Sequence, residues 1–86
     1  MKAALEILRD KSMIIAIEEL AELQQAISKG LRGKLNYDNL TEEIADVEIC
    51  LEWVRDYFDT FEKDIENWKQ FKDHRIKERI ENNELD

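Results

Sequence analysis

The chain has 86 residues, a net charge of −8 and one cysteine, and it contains no proline and two glycines. A chain of that length builds one domain with a thin core, and its acidic balance disfavours a nucleic-acid partner, which needs a basic surface. The lone Cys50 excludes an internal disulfide, and no stretch is long and apolar enough to cross a membrane.

The segment Met1-Lys2-Ala3-Ala4-Leu5 runs into Glu6, Arg9 and Asp10, unlike a signal peptide, so the cytoplasm is the expected compartment. With 43% apolar and 40% charged residues, the composition favours long helices over disorder. Apolar residues recur at three- and four-residue spacing from about Leu5 to Ile27, which predicts a first helix. Gly30 is the expected left-handed residue closing it. Asn39, followed by Glu42 three positions on, predicts an N-cap for a second helix over about Leu40 to Phe58. Asp59, with Glu62 three positions later, predicts the cap of a third helix reaching about Ile80. An acidic tail covers about 81–86. The expectation is one all-α domain over 1–86, a short bundle of three main helices completed by oligomerisation.

Successive helical residues turn about 100°, so spacing becomes direction. On the second helix the apolar stripe holds Leu40, Val47, Cys50, Leu51 and Val54, and Glu43 falls in its middle. Asp46 points about 60° away, still on the apolar side. On the first helix Glu19 and Glu22 project on the side of Ile15, Leu23 and Ala26, whereas Glu18 leans towards Gln25. Each helix thus offers an inward acidic pair at i and i+3. Antiparallel packing through the short loop brings the pairs together, and converging carboxylates repel unless a cation sits among them. Oxygen-only ligands of this charge suit magnesium or manganese. The competing reading is an ordinary solvated face, which Glu42 and Glu48 keep.

Other sites fail on residue type. His74 is the only histidine and Phe71 stands three before it, so a di-iron Glu-x-x-His motif is absent. Cys50 projects into the apolar stripe as a small buried residue. On the third helix Lys72, Arg75 and Arg79 share a face with Ile65, Trp68 and Ile76. They read either as basic stems lying along apolar surface or as a phosphate clamp. Lys69 and Lys77 read as plain surface.

Ile17-Glu18-Glu19-Leu20-Ala21-Glu22-Leu23 and, after the twenty residues that follow Glu22, Glu43-Ile44-Ala45-Asp46 resemble the MazG-like branch of the all-α nucleoside triphosphate pyrophosphohydrolases. That family's signature is Glu-Glu-x-x-Glu followed on the next helix by Glu-x-x-Asp. Lys72-x-x-Arg75-Ile76-x-x-Arg79-Ile80 is similar to its C-terminal basic helix. The resemblance implies hydrolysis of a nucleoside triphosphate between the α and β phosphates. It implies magnesium on Glu19, Glu22, Glu43 and Asp46, and catalytic roles for Glu18 and Glu19. It also implies phosphate binding by Lys72, Arg75 and Arg79, and a homodimer or homotetramer. The residues leave two other readings open, a non-catalytic acidic helical interaction module and a nucleotide sensor without turnover.

Overall fold

Small side chains bring the two longest helices together. The computed structural model describes residues 4–83, with side chains from Leu8 onward. Within that range the protein is all-helical, as expected: α1 spans Ala4–Leu31, α2 spans Tyr37–Tyr57 and α3 spans Glu62–Glu81. α1 and α2 pack as an antiparallel hairpin. At its open end the Arg9 guanidinium donates to the Tyr57 carbonyl at 3.4 Å and lies 5.3 Å from the Tyr57 ring centroid. The Tyr57 hydroxyl donates to the Asp10 carboxylate across the same end. The seam between the helices buries Ala16 and Ala26 from α1 and Val47 and Cys50 from α2.

The far ends of α2 and α3 fall within a residue of the sequence expectation. The end of α1 and the starts of α2 and α3 differ from it, each through the backbone conformation at its junction. Gly30 does not close α1; it lies inside the helix, and Gly33 takes the left-handed conformation at φ 79°. The Lys34 N–H donates to the Lys29 carbonyl at 2.9 Å and the Gly33 N–H to that of Gly30 at 3.2 Å. This is a Schellman closure, in which the residue at positive φ follows the last helical turn. Asn36, not Asn39, caps α2: its backbone is extended and its side chain accepts from the Asn39 N–H at 3.0 Å. Asp59 caps nothing downstream. It sits at φ 52° and ends α2, with the Thr60 N–H donating to the Arg55 carbonyl at 3.0 Å. α3 consequently starts after Phe61, with no side-chain cap.

The hairpin has two unlike edges. Measured from the buried line of their own helices, Glu22 and Asp46 both lie roughly 70° to the same side. In an antiparallel pair, offsets of the same sign fall on the same edge, so one edge is acidic. Leu20 and Ile27 of α1 and Ile44 and Leu51 of α2 are offset the other way, and all four are exposed. That second edge is an uncovered apolar strip. On α1 the consecutive run Met13–Ile17 is not buried all round within one chain: Ile14, Ile15 and Ile17 remain exposed.

α3 is the outlier. It packs against neither α1 nor α2 among the described residues, and none of its residues is buried. Trp68 and Phe71 stack edge to face with centroids 6.1 Å apart, yet both are more than half exposed. Its visible support is local, from the pairs Lys69–Glu66 at 3.4 Å, His74–Glu78 at 2.9 Å and Lys77–Asp73 at 2.9 Å. Exposed pairs of this kind contribute at most a few tenths of a kcal/mol each.

The two glycines differ in sign as mutation sites. A Cβ on Gly30 would meet only the Leu35 Cδ1 atom at 3.3 Å, and Leu35 is exposed and free to yield. Gly30→Ala is therefore expected to stabilise the chain by roughly 0.5 kcal/mol through lower chain entropy. Gly33→Ala meets open space but forces an L side chain into positive φ, and it should cost about 1 kcal/mol. Urea unfolding of both variants checks this; equal effects would contradict the assignment of the cap.

Candidate metal centre

α1 presents Glu19 towards the seam three residues after Ala16, and α2 presents Glu43 one turn before Val47. The hairpin register sets these levels against each other. One carboxylate oxygen from each of Glu19, Glu43 and Asp46 lies within 4.8 Å of the others. Glu43 is only 8% exposed, and Glu19 and Asp46 are half-buried. The Oε2 atoms of Glu19 and of Glu43 are buried without any hydrogen-bond partner. Buried carboxylate oxygens normally accept hydrogen bonds, so two orphans side by side require an explanation.

The electrostatics agree with the geometry. Burial holds the Glu19 carboxyl up to about 7, reinforced by the charges of Glu22, Asp46 and Glu43 and by a hydrogen bond shared with Asp46. The Glu43 carboxyl is raised for the same first reason, with Glu22 and Asp46 as the main neighbouring charges. Burial also lifts the Cys50 thiol, with Glu19 and Asp46 adding to the effect. Four acids thus share one field. A proton or a cation among them relieves it.

The donor set fits a hard divalent ion. It is all oxygen and carries high charge, and its two orphaned atoms are what such an ion would satisfy. Oxygens around one magnesium ion stand about 3–4 Å apart, and the three carboxylate oxygens here lie within 4.8 Å of one another. No lysine, arginine or histidine forms an ion pair with these acids among the described residues.

The sequence-derived residues are brought together unevenly. Glu19, Glu43 and Asp46 converge. Glu22 was expected to point inward with Glu19, but it is exposed on the acidic edge, where its charge still reaches Glu19 and Glu43. Glu18 is exposed beside it. Lys72, Arg75 and Arg79 lie on α3, which does not pack on the helices carrying the acids. Lys72 sits 5.9 Å from the Trp68 ring centroid and Arg75 5.8 Å from that of Phe71, so their stems follow aromatic surface. His74, Lys69 and Lys77 are exposed and paired within α3, and Cys50 is a buried free thiol. The clasp formed by Arg9, Asp10 and Tyr57 had no sequence signal, because its partners are 47 and 48 residues apart.

A carboxyl whose proton affinity is raised by folding favours the folded state below its ordinary pKa, and that advantage is lost as pH rises through the folded value. For Glu19 the window runs from the ordinary carboxyl value of 4.5 to about 7. The melting temperature of the metal-free protein should therefore fall as pH rises from 5 to 8. Glu43→Gln should flatten that fall, and saturating magnesium should reverse part of it. Calorimetric scans across this range test all three; a Tm that climbs with pH in the metal-free protein would count against the cluster. Compared with known proteins, the chain matches no family model, no curated protein and no solved structure, so the geometry of the acids carries the functional argument.

Proposed function

We propose that this protein is a magnesium-dependent nucleoside triphosphate pyrophosphohydrolase, cleaving between the α and β phosphates to give a nucleoside monophosphate and pyrophosphate. The observation that carries the reading is the pair of buried, partnerless carboxylate oxygens on Glu19 and Glu43 beside Asp46. Such a group is costly to fold and gains its use only with a cation bound. The motif resemblance then selects the reaction.

In this reading Glu19, Glu43 and Asp46 hold magnesium, or manganese, with Glu22 supplying charge from the exposed edge. The bound ion offsets the negative charge of a triphosphate and acidifies water. The chain's own residues do the rest. Glu18, exposed on the same side of α1 as Glu22, orients water and accepts its proton. The water oxygen bonds to the α phosphorus, the bond from that phosphorus to the bridging oxygen breaks, and pyrophosphate leaves. Lys72, Arg75 and Arg79 bind phosphate oxygens. The uncovered strip of Leu20, Ile27, Ile44 and Leu51 supports a homodimer or homotetramer, since an apolar helical face this broad needs a second surface.

A second reading keeps the helices and drops the chemistry: an acidic module that assembles through its exposed faces. The absence of any buried residue on α3 favours it. Pyrophosphate release from a panel of ribo- and deoxyribonucleoside triphosphates, with magnesium and with EDTA, separates the two. Turnover is expected with magnesium only, and Asp46→Asn or Glu43→Gln should lower it by on the order of 100-fold or more. Arg75→Ala and Arg79→Ala should weaken triphosphate binding and leave magnesium affinity near that of the parent, while Lys77→Ala is close to neutral. No release from any nucleotide, with magnesium bound by calorimetry, would leave a metal-binding module and remove the enzyme.

A further inference from the structure

α3 has a surface with unmet needs, and the hairpin has the matching one. Phe61, Ile65, Trp68 and Ile76 alternate along one stripe of α3 with Lys72, Arg75 and Arg79. None of these residues is buried; Ile65 is half-exposed and the others are largely open. Ile65, Trp68, Lys72 and Ile76 also line a shallow groove. In proteins a helix draws most of its stability from packing one face against a neighbour, and α3 has no such contact among the described residues.

The charges point to what covers it. Lys69 and Lys77 have carboxylate partners on their own helix, whereas Lys72, Arg75 and Arg79 form no ion pair among the described residues. The segment Lys69–Arg79 has five basic and two acidic residues, a net of +3. α2 has one basic and seven acidic residues, a net of −6, and its cluster with α1 is equally unpaired. The acidic edge also offers Ile15 and Trp53, both partly exposed, as apolar neighbours. An apolar and basic stripe therefore faces an apolar and acidic edge in composition, but not in contact.

Within one chain the two do not meet. The elbow at Asp59, tied by the Thr60 N–H and the Thr60 hydroxyl to the Arg55 carbonyl at 3.0 and 3.2 Å, sends α3 off its own hairpin. Lengths match, however. At 1.5 Å per residue, Lys72 lies roughly 15 Å into α3, and Asp46 lies a similar distance, about 16 Å, below the open end of the hairpin. Arg75 and Glu43 are likewise level, each at about 20 Å. An α3 laid along a hairpin edge from that end brings the cations opposite the acids.

We propose that α3 docks in trans, on the acidic edge of a second copy of this chain, so that Lys72, Arg75 and Arg79 of one protomer face Glu22, Glu43 and Asp46 of the other. A two-fold axis running along the hairpins keeps both open ends together and makes the exchange reciprocal. The apolar strip on the opposite edge then remains for hairpin-to-hairpin packing. The placement deepens the proposed function, on which its meaning for phosphate binding rests: each acidic centre receives its cations from the partner.

Zero-length carbodiimide cross-linking tests this without relying on turnover. Light and isotope-heavy full-length chains are unfolded together in urea, refolded and cross-linked in EDTA. Mass spectrometry should find Lys72 joined to acids of α1 or α2, with mixed heavy–light pairs prominent. Links found only within one isotope form, or no link from Lys72 to those acids, would overturn the trans arrangement. Light scattering supplies the second arm. Arg75→Glu with Arg79→Glu should weaken association at least tenfold, whereas Lys77→Glu, on the far side of α3, should leave it unchanged; equal effects would also overturn the proposal. Magnesium titration of the parent by calorimetry is scored separately. Cross-links without magnesium binding would remove the metal centre and keep the docking, and magnesium binding without cross-links would do the reverse.

Discussion

Carboxylates folded into a seam of small side chains constrain everything else in this protein. Glu43 is buried with an oxygen that nothing satisfies, and Glu19 shares the condition from the other helix. A helix pair designed only for stability would place apolar residues there, as replacement of buried ions by packed hydrophobes is often neutral or favourable. The cost is concentrated at one level of the hairpin. The clasp of Arg9, Asp10 and Tyr57 holds the open end, and the cap at Asn36 with the turn at Gly33 holds the other.

The seam also acts as a caliper. Its buried members are Ala16, Ala26, Val47 and Cys50, and interaxial distance follows side-chain size at the contact. Close approach of α1 and α2 is what allows short acids from both helices to reach a common point. A larger residue at Ala16 or Ala26 would push the axes apart and spread the carboxylates without touching any of them.

Much of this was legible in the residues. Period and composition indicate three helices because long apolar stripes are redundant signals, and the inward Glu43 stood out because a charge at a core position breaks its own pattern. What stayed hidden was of two kinds. Caps depend on single backbone conformations, so Gly30 and Gly33, or Asn36 and Asn39, cannot be separated by spacing alone; the structure chose the second glycine and the first asparagine. The lie of α3 depends on the elbow at Asp59, a left-handed aspartate that reads from sequence as a cap for the helix after it. Glu22 was misplaced for a subtler reason. Its projection lies near the margin of the stripe, where a few degrees decide between seam and edge.

The separation of α3 from the hairpin bears on how the chain comes apart. The hairpin is a packed unit built from neighbours in sequence joined by a short turn, a topology that closes quickly. α3 contributes no buried side chain to that unit, so its amide protons are not protected by the hairpin's stability. In an isolated chain they would exchange by local fraying, long before the helix pair opens. Where another molecule covers the stripe, their protection becomes a function of protein concentration, and a single melting temperature no longer describes the whole chain.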